Sequence, residues 1–150
     1  MEKKVYVFSK RLFDKYMREH NIPHIISSNS NEIAYISISE PGECSHWFEN
    51  GQQNVLNIDF WDVNDYDIGG IKGLTDEQAQ IIYEFIGNKI KDNPYITFYI
   101  HCQAGYSRSQ AIAEFLQDCY GYKIERVVAG IGFPNSHVLR LLKRLYYKEL

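Results

Sequence analysis

The sequence predicts an α/β fold, a single domain over residues 1–150 with a mostly parallel central sheet flanked by helices. Three observations lead to this prediction. Apolar, β-rich runs alternate with amphipathic helical patterns, the order typical of a parallel sheet. One run, YITFYI, is apolar throughout, as expected when helices cover both faces of a strand. A length of 150 residues also suits one hydrophobic core.

The first half of the chain contains most of the predicted strands. Four runs have strand composition: VYVF (5–8), HIISS (24–28), IAYISI (33–38) and VLNIDFWDV (55–63). Ser9 is placed to cap a helix that stops before Pro23. The apolar face of that helix carries Leu12, Phe13, Tyr16 and Met17. Residues 39–54 and 64–74 are rich in glycine and polar residues, which predicts loops.

The second half predicts helices on both sides of the strand YITFYI (95–100). A Thr75–Gln78 capping box opens the first helix, and Asn93-Pro94 ends it. Its predicted buried face is Ile81, Ile82, Phe85, Ile86 and Ile90. The next helix, 109–120, buries Ala111, Ile112, Phe115, Leu116 and Cys119. A short helix is predicted over 124–129, and a final helix after Pro134-Asn135-Ser136 buries Val138, Leu141, Leu142 and Leu145.

Composition excludes several classes of protein. A formal net charge of −3 and a pI of about 5.9 argue against general nucleic-acid binding through phosphate neutralisation. No apolar run approaches the ~20 residues that span a bilayer, so we expect no membrane insertion and a cytoplasmic location. Cys44, Cys102 and Cys119 are widely spaced and form no C-x-x-C pair, which predicts neither disulfides nor a zinc site. Cys44 and Cys119 are interpreted as an ordinary loop thiol and a core-facing thiol.

The segment HCQAGYSRS (101–109) carries the strongest functional signal. It lies between an apolar strand and a helix, where main-chain amides can form a concave nest for an anion. The predicted phosphate-binding residues are Gln103, Ala104, Gly105, Tyr106, Ser107, Arg108 and Ser109. Gly105 permits a turn closed to other residues, and Arg108 supplies a planar fork for two phosphate oxygens. We expect no metal and no cofactor.

The same amides and guanidinium should favour the thiolate of Cys102, which makes its sulfur a candidate nucleophile. Attack on a phosphate ester requires an acid that protonates the leaving group. Asp59, Asp62, Asp65 and Asp67 are the candidates around the end of the strand 55–63. We favour Asp62, because it lies where strand becomes loop. Ser109 is placed to donate a hydrogen bond to the sulfur.

The motif H-C-x-x-G-x-x-R-S resembles the active-site signature of cysteine-based protein tyrosine phosphatases, and the form GYSRS is most similar to their dual-specificity branch. The likeness covers about 55–116 and continues weakly through Phe133-Pro134-Asn135. It implies a dual-specificity phosphatase-like fold and metal-free phosphomonoester hydrolysis, with Cys102 as nucleophile, Arg108 binding phosphate and Asp62 as general acid. A phosphorylated substrate is implied, with a phosphoprotein first among the candidates.

Two departures from the family pattern leave details open. Gln110 stands where many members have proline, and the acid loop is longer, so Asp65 or Asp67 remain possible donors. His101 is expected to orient the loop, and Asn135 to fix the turn before the last helix. Two other functions compete: a catalytically silent phosphate-binding module, and a rhodanese-like or arsenate-reductase-like cysteine enzyme. His20, His24, His46 and His137 show no ligand spacing.

Overall fold

A five-stranded parallel sheet forms the centre of the fold. The computed structural model describes residues 2–26, 31–43, 45–128 and 132–149. The strands are β1 (Lys4–Ser9), β2 (Ile33–Ser39), β3 (Val55–Asp59), β6 (Thr97–Cys102) and β7 (Lys123–Val127). Their order across the sheet is β3-β2-β6-β1-β7, and every neighbouring pair is parallel. The predicted α/β architecture is confirmed.

Four helices cover the two faces of this sheet: α1 (Lys10–Glu19), α2 (Asp76–Asp92), α3 (Arg108–Tyr120) and α4 (Ser136–Lys148). Successive strand residues point to opposite faces. Val5 and Val7 of β1 therefore pack into the core formed with α2, α3 and α4, whereas Phe8 packs into a second cluster with Phe13 and Met17 of α1. Both faces are buried, which explains the apolar runs of the central strands. None of the helices in the described ranges has the length and hydropathy to cross a membrane.

The predicted helix starts are confirmed by their capping hydrogen bonds. Ser9 Oγ accepts from Leu12 N at 3.2 Å, and Thr75 and Gln78 form both hydrogen bonds of a capping box. Asn135 caps α4, because its Oδ1 accepts from Val138 N at 3.0 Å. Most of the predicted buried positions on α2, α3 and α4 are buried or partly buried. The exception is Ile81, which is 49% exposed. The buried face of α2 includes the predicted Ile82 and Ile86, and it continues through Ala79, Tyr83 and Lys89 rather than through Ile81.

The strand predicted over 24–28 is wrong where it can be compared. Residues 24–26 are not a strand, and 27–28 lie outside the described residues. The N–H of Ile26 donates to the Gln52 side chain at 2.6 Å rather than to a neighbouring strand. Ile25 is 57% exposed, so its β-propensity is not supported by burial.

The helix predicted over 124–129 is also wrong. Residues 123–127 form β7, which pairs in parallel with the outer side of β1, and residue 129 lies outside the described residues. Sheet pairing therefore overrides the helical pattern. The strand predicted over 55–63 ends earlier, at Asp59. The predicted loop 64–74 contains a two-stranded antiparallel hairpin, β4 (Asp67–Ile68) and β5 (Ile71–Lys72).

Candidate active site

The segment 103–107 joins β6 to α3 at the carboxyl edge of the sheet. Cys102 is the last residue of β6, and Arg108 is the first residue of α3. The register pairs Ser9 with Cys102, so the end of β1 and the start of α1 border the loop. Ligands of parallel sheets bind beyond the carboxyl ends of strands, and the motif predicted from sequence lies at that edge.

Gly105 allows this loop to pack against the end of β1. Its φ is +77°, a left-handed conformation that other residues rarely adopt. A Cβ built at this position would lie 2.8 Å from Ser9 N, 2.9 Å from Phe8 C and 2.6 Å from Val128 Cγ1. Two of these are backbone atoms of a strand paired on both sides, so they cannot move aside easily. Both the conformation and the contact therefore require glycine.

The loop's carbonyl oxygens are held by groups outside the loop. Gln103 O accepts from Lys10 N at 3.1 Å, Gly105 O from Gln110 Nε2 at 3.1 Å, Tyr106 O from Phe133 N at 2.8 Å, and Ser107 O from Asn135 N at 3.0 Å. A planar trans peptide directs its C=O and the following N–H to opposite sides. The N–H groups that follow these carbonyls therefore point away from the outer partners. Among the described residues, none accepts a hydrogen bond from the N–H of Ala104, Tyr106 or Ser107.

The sulfur of Cys102 faces the inside of this loop. Cys102 is 2% exposed, and its Sγ accepts a hydrogen bond from Gly105 N at 3.3 Å. The Oγ of Ser109 lies 3.1 Å from the same sulfur. Two groups that can donate to a thiolate thus surround it. Ser109 lies where the sequence interpretation placed it, beside the sulfur, whereas the hydrogen bond from Gly105 N was not individually predicted.

Arg108 extends its buried guanidinium under the loop toward β2 and β3. Its Nη1 donates to Glu40 Oε2 at 2.5 Å and to Phe60 O at 2.6 Å. Its Nε is buried and has no hydrogen-bond partner among the described residues. A buried guanidinium N–H is normally satisfied, so this donor is suited to an incoming oxyanion. The Glu40 carboxylate and the Phe60 carbonyl fix the orientation of the side chain.

Asp62 is the predicted acid that reaches the loop. Its Oδ1 accepts from Ser107 Oγ at 2.7 Å and from Asn135 Nδ2 at 2.7 Å. Asn135 Nδ2 also donates to Val63 O at 3.1 Å, so one side chain holds two points of the acid loop. The carboxyl group is thereby positioned beside the segment that carries the N–H groups of Ala104, Tyr106 and Ser107.

The other three aspartates are engaged elsewhere. Asp59 Oδ1 contacts His46 Nε2 at 2.6 Å, and Asp65 Oδ1 accepts from Tyr66 N at 2.7 Å. Asp67 pairs with Lys72 across the β4–β5 hairpin. Within the described part of the chain, Asp62 is the one member of the four that contacts the loop.

His101 is completely buried behind Cys102. Its Nε2 lies 2.6 Å from Ser37 Oγ, which in turn lies 2.6 Å from His46 Nδ1. Burial lowers the pKa of His101 to about 3. Its Nδ1 has no hydrogen-bond partner among the described residues. The ring is therefore neutral at physiological pH.

Three contributions to the site were not predicted. Glu40 pairs with Arg108, Gln110 holds the Gly105 carbonyl, and Asn135 holds Asp62 in addition to capping α4. Gln110 is itself fixed by Arg126 Nε at 3.1 Å, so it secures the loop in place of the proline expected from the family pattern. No local sequence signal identifies the Glu40 contact, because the two partners are 68 positions apart.

The other cysteines and histidines lie outside the loop 103–107. Cys119 is partly buried, and burial raises its pKa, whereas Cys44 lies outside the described residues. The sequence showed no metal-ligand spacing for His20, His24, His46 and His137. In the structure, His20, His24 and His137 each have a ring nitrogen within hydrogen-bond distance of a main-chain carbonyl, and His46 Nε2 contacts Asp59. No group of three or more His, Cys, Asp or Glu in the described ranges is arranged to hold a metal ion.

Comparison with known proteins relates this arrangement to a known fold. No protein-family model and no curated sequence matches the chain. The crystal structure of Cydia pomonella PTP-2 phosphatase is similar, with a TM-score of 0.55 and 18% identity over 95% of this chain and 86% of that one. A human tyrosine phosphatase-like serine/threonine/tyrosine-interacting protein gives a TM-score of 0.47 and 16% identity, covering 90% of this chain and 83% of its own. The chain thus shares the α/β fold of the PTP-2 phosphatase structure, and its HCQAGYSRS segment lies at the carboxyl edge of the sheet.

Proposed function

We propose that the chain hydrolyses phosphomonoesters through a phosphocysteine intermediate, as a protein tyrosine or dual-specificity phosphatase. One observation carries the proposal: the Cys102 sulfur accepts from Gly105 N inside a loop where the N–H groups of Ala104, Tyr106 and Ser107 meet no acceptor among the described residues, and Asp62 contacts that same loop. In this proposal Cys102 is the nucleophile, the loop N–H groups bind the oxyanion and Asp62 is the acid, and the contacts between these segments support the assignment.

In the first step, the phosphate oxygens occupy the loop, where the N–H groups and Arg108 Nε donate to them. The Cys102 thiolate forms a bond to phosphorus as the bond from phosphorus to the ester oxygen breaks. Asp62 gives its proton to that leaving oxygen. The fixed donors stabilise charge on the phosphoryl oxygens during transfer, and they need no rearrangement to do so.

In the second step, water replaces the first product. Asp62, now a carboxylate, accepts a proton from the water as the oxygen attacks phosphorus. The phosphorus–sulfur bond breaks, and Cys102 leaves as a thiolate. Ser109 Oγ, 3.1 Å from the sulfur, donates to the thiolate and makes it a better leaving group. Inorganic phosphate and the resting enzyme are the products.

A phosphoprotein is the substrate class that the surface beside the loop supports. Tyr106, in the loop, is 41% exposed, and Phe133, which is hydrogen-bonded to it, is 87% exposed. Two exposed aromatic side chains next to a phosphate site suit an extended peptide, because aromatic rings bury a large area against side chains and main chain.

The test measures release of p-nitrophenol from p-nitrophenyl phosphate by the purified protein in the presence of EDTA. We expect turnover, orthovanadate inhibition, and loss of turnover in Cys102→Ser with phosphate binding retained. Cys119→Ser is the matched control, because it removes a partly buried thiol outside the loop. Phosphate binding without turnover in the native chain would instead identify a silent binding module, and substantial activity in Cys102→Ser would exclude the proposed nucleophile.

A further inference from the structure

The acid loop between β3 and β4, residues 60–66, is fixed to α4 at more points than the one that holds Asp62. Asn135, the cap of α4, binds Asp62 and Val63 as described above. Beyond them, Asn64 Oδ1 accepts from Ser136 N at 3.0 Å and from Ser136 Oγ at 3.1 Å. The contacts with α4 therefore continue past the residue that the proposed chemistry uses.

Asn64 completes the hydrogen bonding at the start of α4. The first N–H groups of a helix have no partner within the helix. Val138 N is satisfied by Asn135, the cap of α4 itself. Ser136 N is satisfied by Asn64, which lies 72 positions earlier in the chain. An amide oxygen suits this place, because the N-terminal end of a helix carries partial positive charge. The start of α4 and the acid loop thus depend on each other for their geometry.

Tyr66 binds the same helix two residues further along the loop. Its ring meets the ring of His137 edge-on, with 4.6 Å between the centroids. Its hydroxyl donates to Asp76 Oδ1 at 2.6 Å and accepts from Arg144 Nη2 at 3.3 Å. Arg144 Nη2 also lies 3.2 Å from Asp76 Oδ1, so the three polar groups contact one another. The phenol therefore bridges the first turn of α2 and the second half of α4.

His137 gives Tyr66 a fixed surface to pack against. It is completely buried, and its Nε2 lies 2.8 Å from Leu74 O. A carbonyl oxygen can only accept, so Nε2 carries a hydrogen. Arg140 Nη2 lies 3.1 Å from Nδ1 and can only donate, so Nδ1 is the acceptor. The ring cannot rotate without losing both hydrogen bonds.

We propose that Asn64 and Tyr66 are positioning residues, which fix the acid loop on α4 and so hold the Asp62 carboxyl group where it can protonate the leaving oxygen. The inference rests on the proposed function, in which Asp62 is the acid. The side-chain hydrogen bonds of Asn64 and Tyr66 go to α2 and α4, so their effect reaches a substrate through Asp62. A general acid acts within hydrogen-bond reach, and a misplacement of ~1 Å can cost about 100-fold in rate.

The same contacts should matter little for the stability of the fold. Asn64 and Tyr66 are exposed, and the side chains of Asp76 and Arg144 are 63% and 59% exposed. Ion pairs this exposed contribute little to folding, because water screens them. We therefore expect variants of Asn64 and Tyr66 to unfold at nearly the same urea concentration as the native chain. A loss of acid catalysis at unchanged stability separates a positioning role from a structural one.

Two tyrosine variants on either side of α2 give a matched comparison. Tyr66→Phe keeps the ring beside His137 but removes the hydroxyl from Asp76 and Arg144. Tyr83→Phe removes a hydroxyl that links α2 to Glu149, the residue after α4, and leaves the acid loop alone.

The two variants should differ in how their rates depend on the leaving group. We expect kcat for alkyl phosphates to fall about tenfold in Tyr66→Phe, a part of the ~100-fold or more that a general acid supplies. Aryl phosphates with good leaving groups should react at the native rate, because they need little protonation. Tyr83→Phe should match the native chain on both. Equal losses on both substrates in Tyr66→Phe, or none on either, would overturn the role of Tyr66.

Asn64 is tested by removal and rescue. Asn64→Ala removes the acceptor for Ser136 N, whereas Asn64→Asp keeps an acceptor oxygen that the N-terminal end of α4 favours. We expect the selective loss on alkyl phosphates in Asn64→Ala, and near-native rates in Asn64→Asp, each measured at its own pH optimum. A loss in both variants, or in neither, would contradict the proposed role of this contact.

Trp61 provides a readout that needs no turnover. It directly precedes Asp62 and is 39% exposed, and the chain has one other tryptophan, Trp47. In protein labelled with 5-fluorotryptophan, the ¹⁹F resonance of Trp61 should shift or broaden in Tyr66→Phe and Asn64→Ala. It should keep its native position in the two matched variants, and the Trp47 resonance should stay constant in all of them.

This readout also separates the two proposals. A Trp61 resonance that is unchanged in Tyr66→Phe and Asn64→Ala would overturn the positioning role, whatever the activity of the native chain. A chain that hydrolyses no phosphate ester would refute the proposed function, and the ¹⁹F spectra would still decide whether Asn64 and Tyr66 hold the acid loop.

Discussion

Gly105→Ala tests the geometry on which the proposed phosphate site depends. The substitution forces a residue with a Cβ to adopt a φ of +77°, which costs roughly 1–2 kcal/mol. The new methyl group also lies 2.8 Å from Ser9 N and 2.9 Å from Phe8 C, and such overpacking typically costs about 1–3 kcal/mol. The expected loss in free energy of unfolding is therefore roughly 2–5 kcal/mol, a large share of the stability of a typical domain.

Gly121→Ala is the control for this prediction. Gly121 has nearly the same φ, +76°, but its added Cβ would meet nothing within 4 Å. It should cost roughly 1–2 kcal/mol, the conformational part alone. The difference between the two variants, measured by urea unfolding, isolates the close approach of the loop to β1.

The same pair of variants should differ in activity. Relief of the contact moves the loop away from β1, so Gly105→Ala should lose most p-nitrophenyl phosphatase activity under conditions where it is folded. Gly121→Ala should keep it, because Gly121 lies at the far end of α3. Equal stabilities for the two variants, or full activity in Gly105→Ala, would refute the argument that this approach shapes the site.

Three further predictions concern other parts of the chain. Asp62→Ala should slow alkyl phosphate hydrolysis about 100-fold or more, and aryl phosphates with good leaving groups much less; equal losses in kcat on both substrates would argue against Asp62 as the acid. Thr75→Ala should lower the free energy of unfolding by about 1 kcal/mol in urea denaturation, with unchanged activity, because it removes the cap of α2; no loss would contradict the capping box. The buried His101 has a pKa of about 3, below its ordinary 6.5, so the unfolded chain binds the extra proton first as pH falls. Stability should therefore decline between pH 6.5 and 3 by about 1.4 kcal/mol per unit from this group, and urea unfolding of His101→Asn should show a shallower decline.

The predictions that succeeded depended on local chemistry. The capping residues Ser9 and Thr75 were found because a cap and its partner lie three positions apart. The strand YITFYI and the loop after it were identified by composition and a contiguous motif. A hydrogen-bond donor, a helix start and a tight turn can all be recognised within a few residues.

The predictions that failed, and the contacts that were missed, depended on residues distant in sequence. Ile25 has the composition of a strand but is 57% exposed and pairs with none of the described strands, whereas the segment 123–127 is a strand because it pairs with β1. Glu40 directly follows β2 and contacts Arg108 at the start of α3, although the two residues are 68 positions apart in sequence. Pairing and burial in the assembled sheet decide such cases, and local propensity does not contain that information.

The carbonyl groups of the proposed phosphate-binding loop are anchored partly by residues that are synthesised after it. Phe133 and Asn135 hold Tyr106 O and Ser107 O, and Asn135 also holds Asp62. A nascent chain that has emerged only as far as α3 would possess Cys102 and Arg108 without these anchors. If the proposed chemistry is correct, competence for it should arise only after residues 133–135 have been synthesised and α4 has docked, so that shorter translation products bearing the full HCQAGYSRS motif are inert.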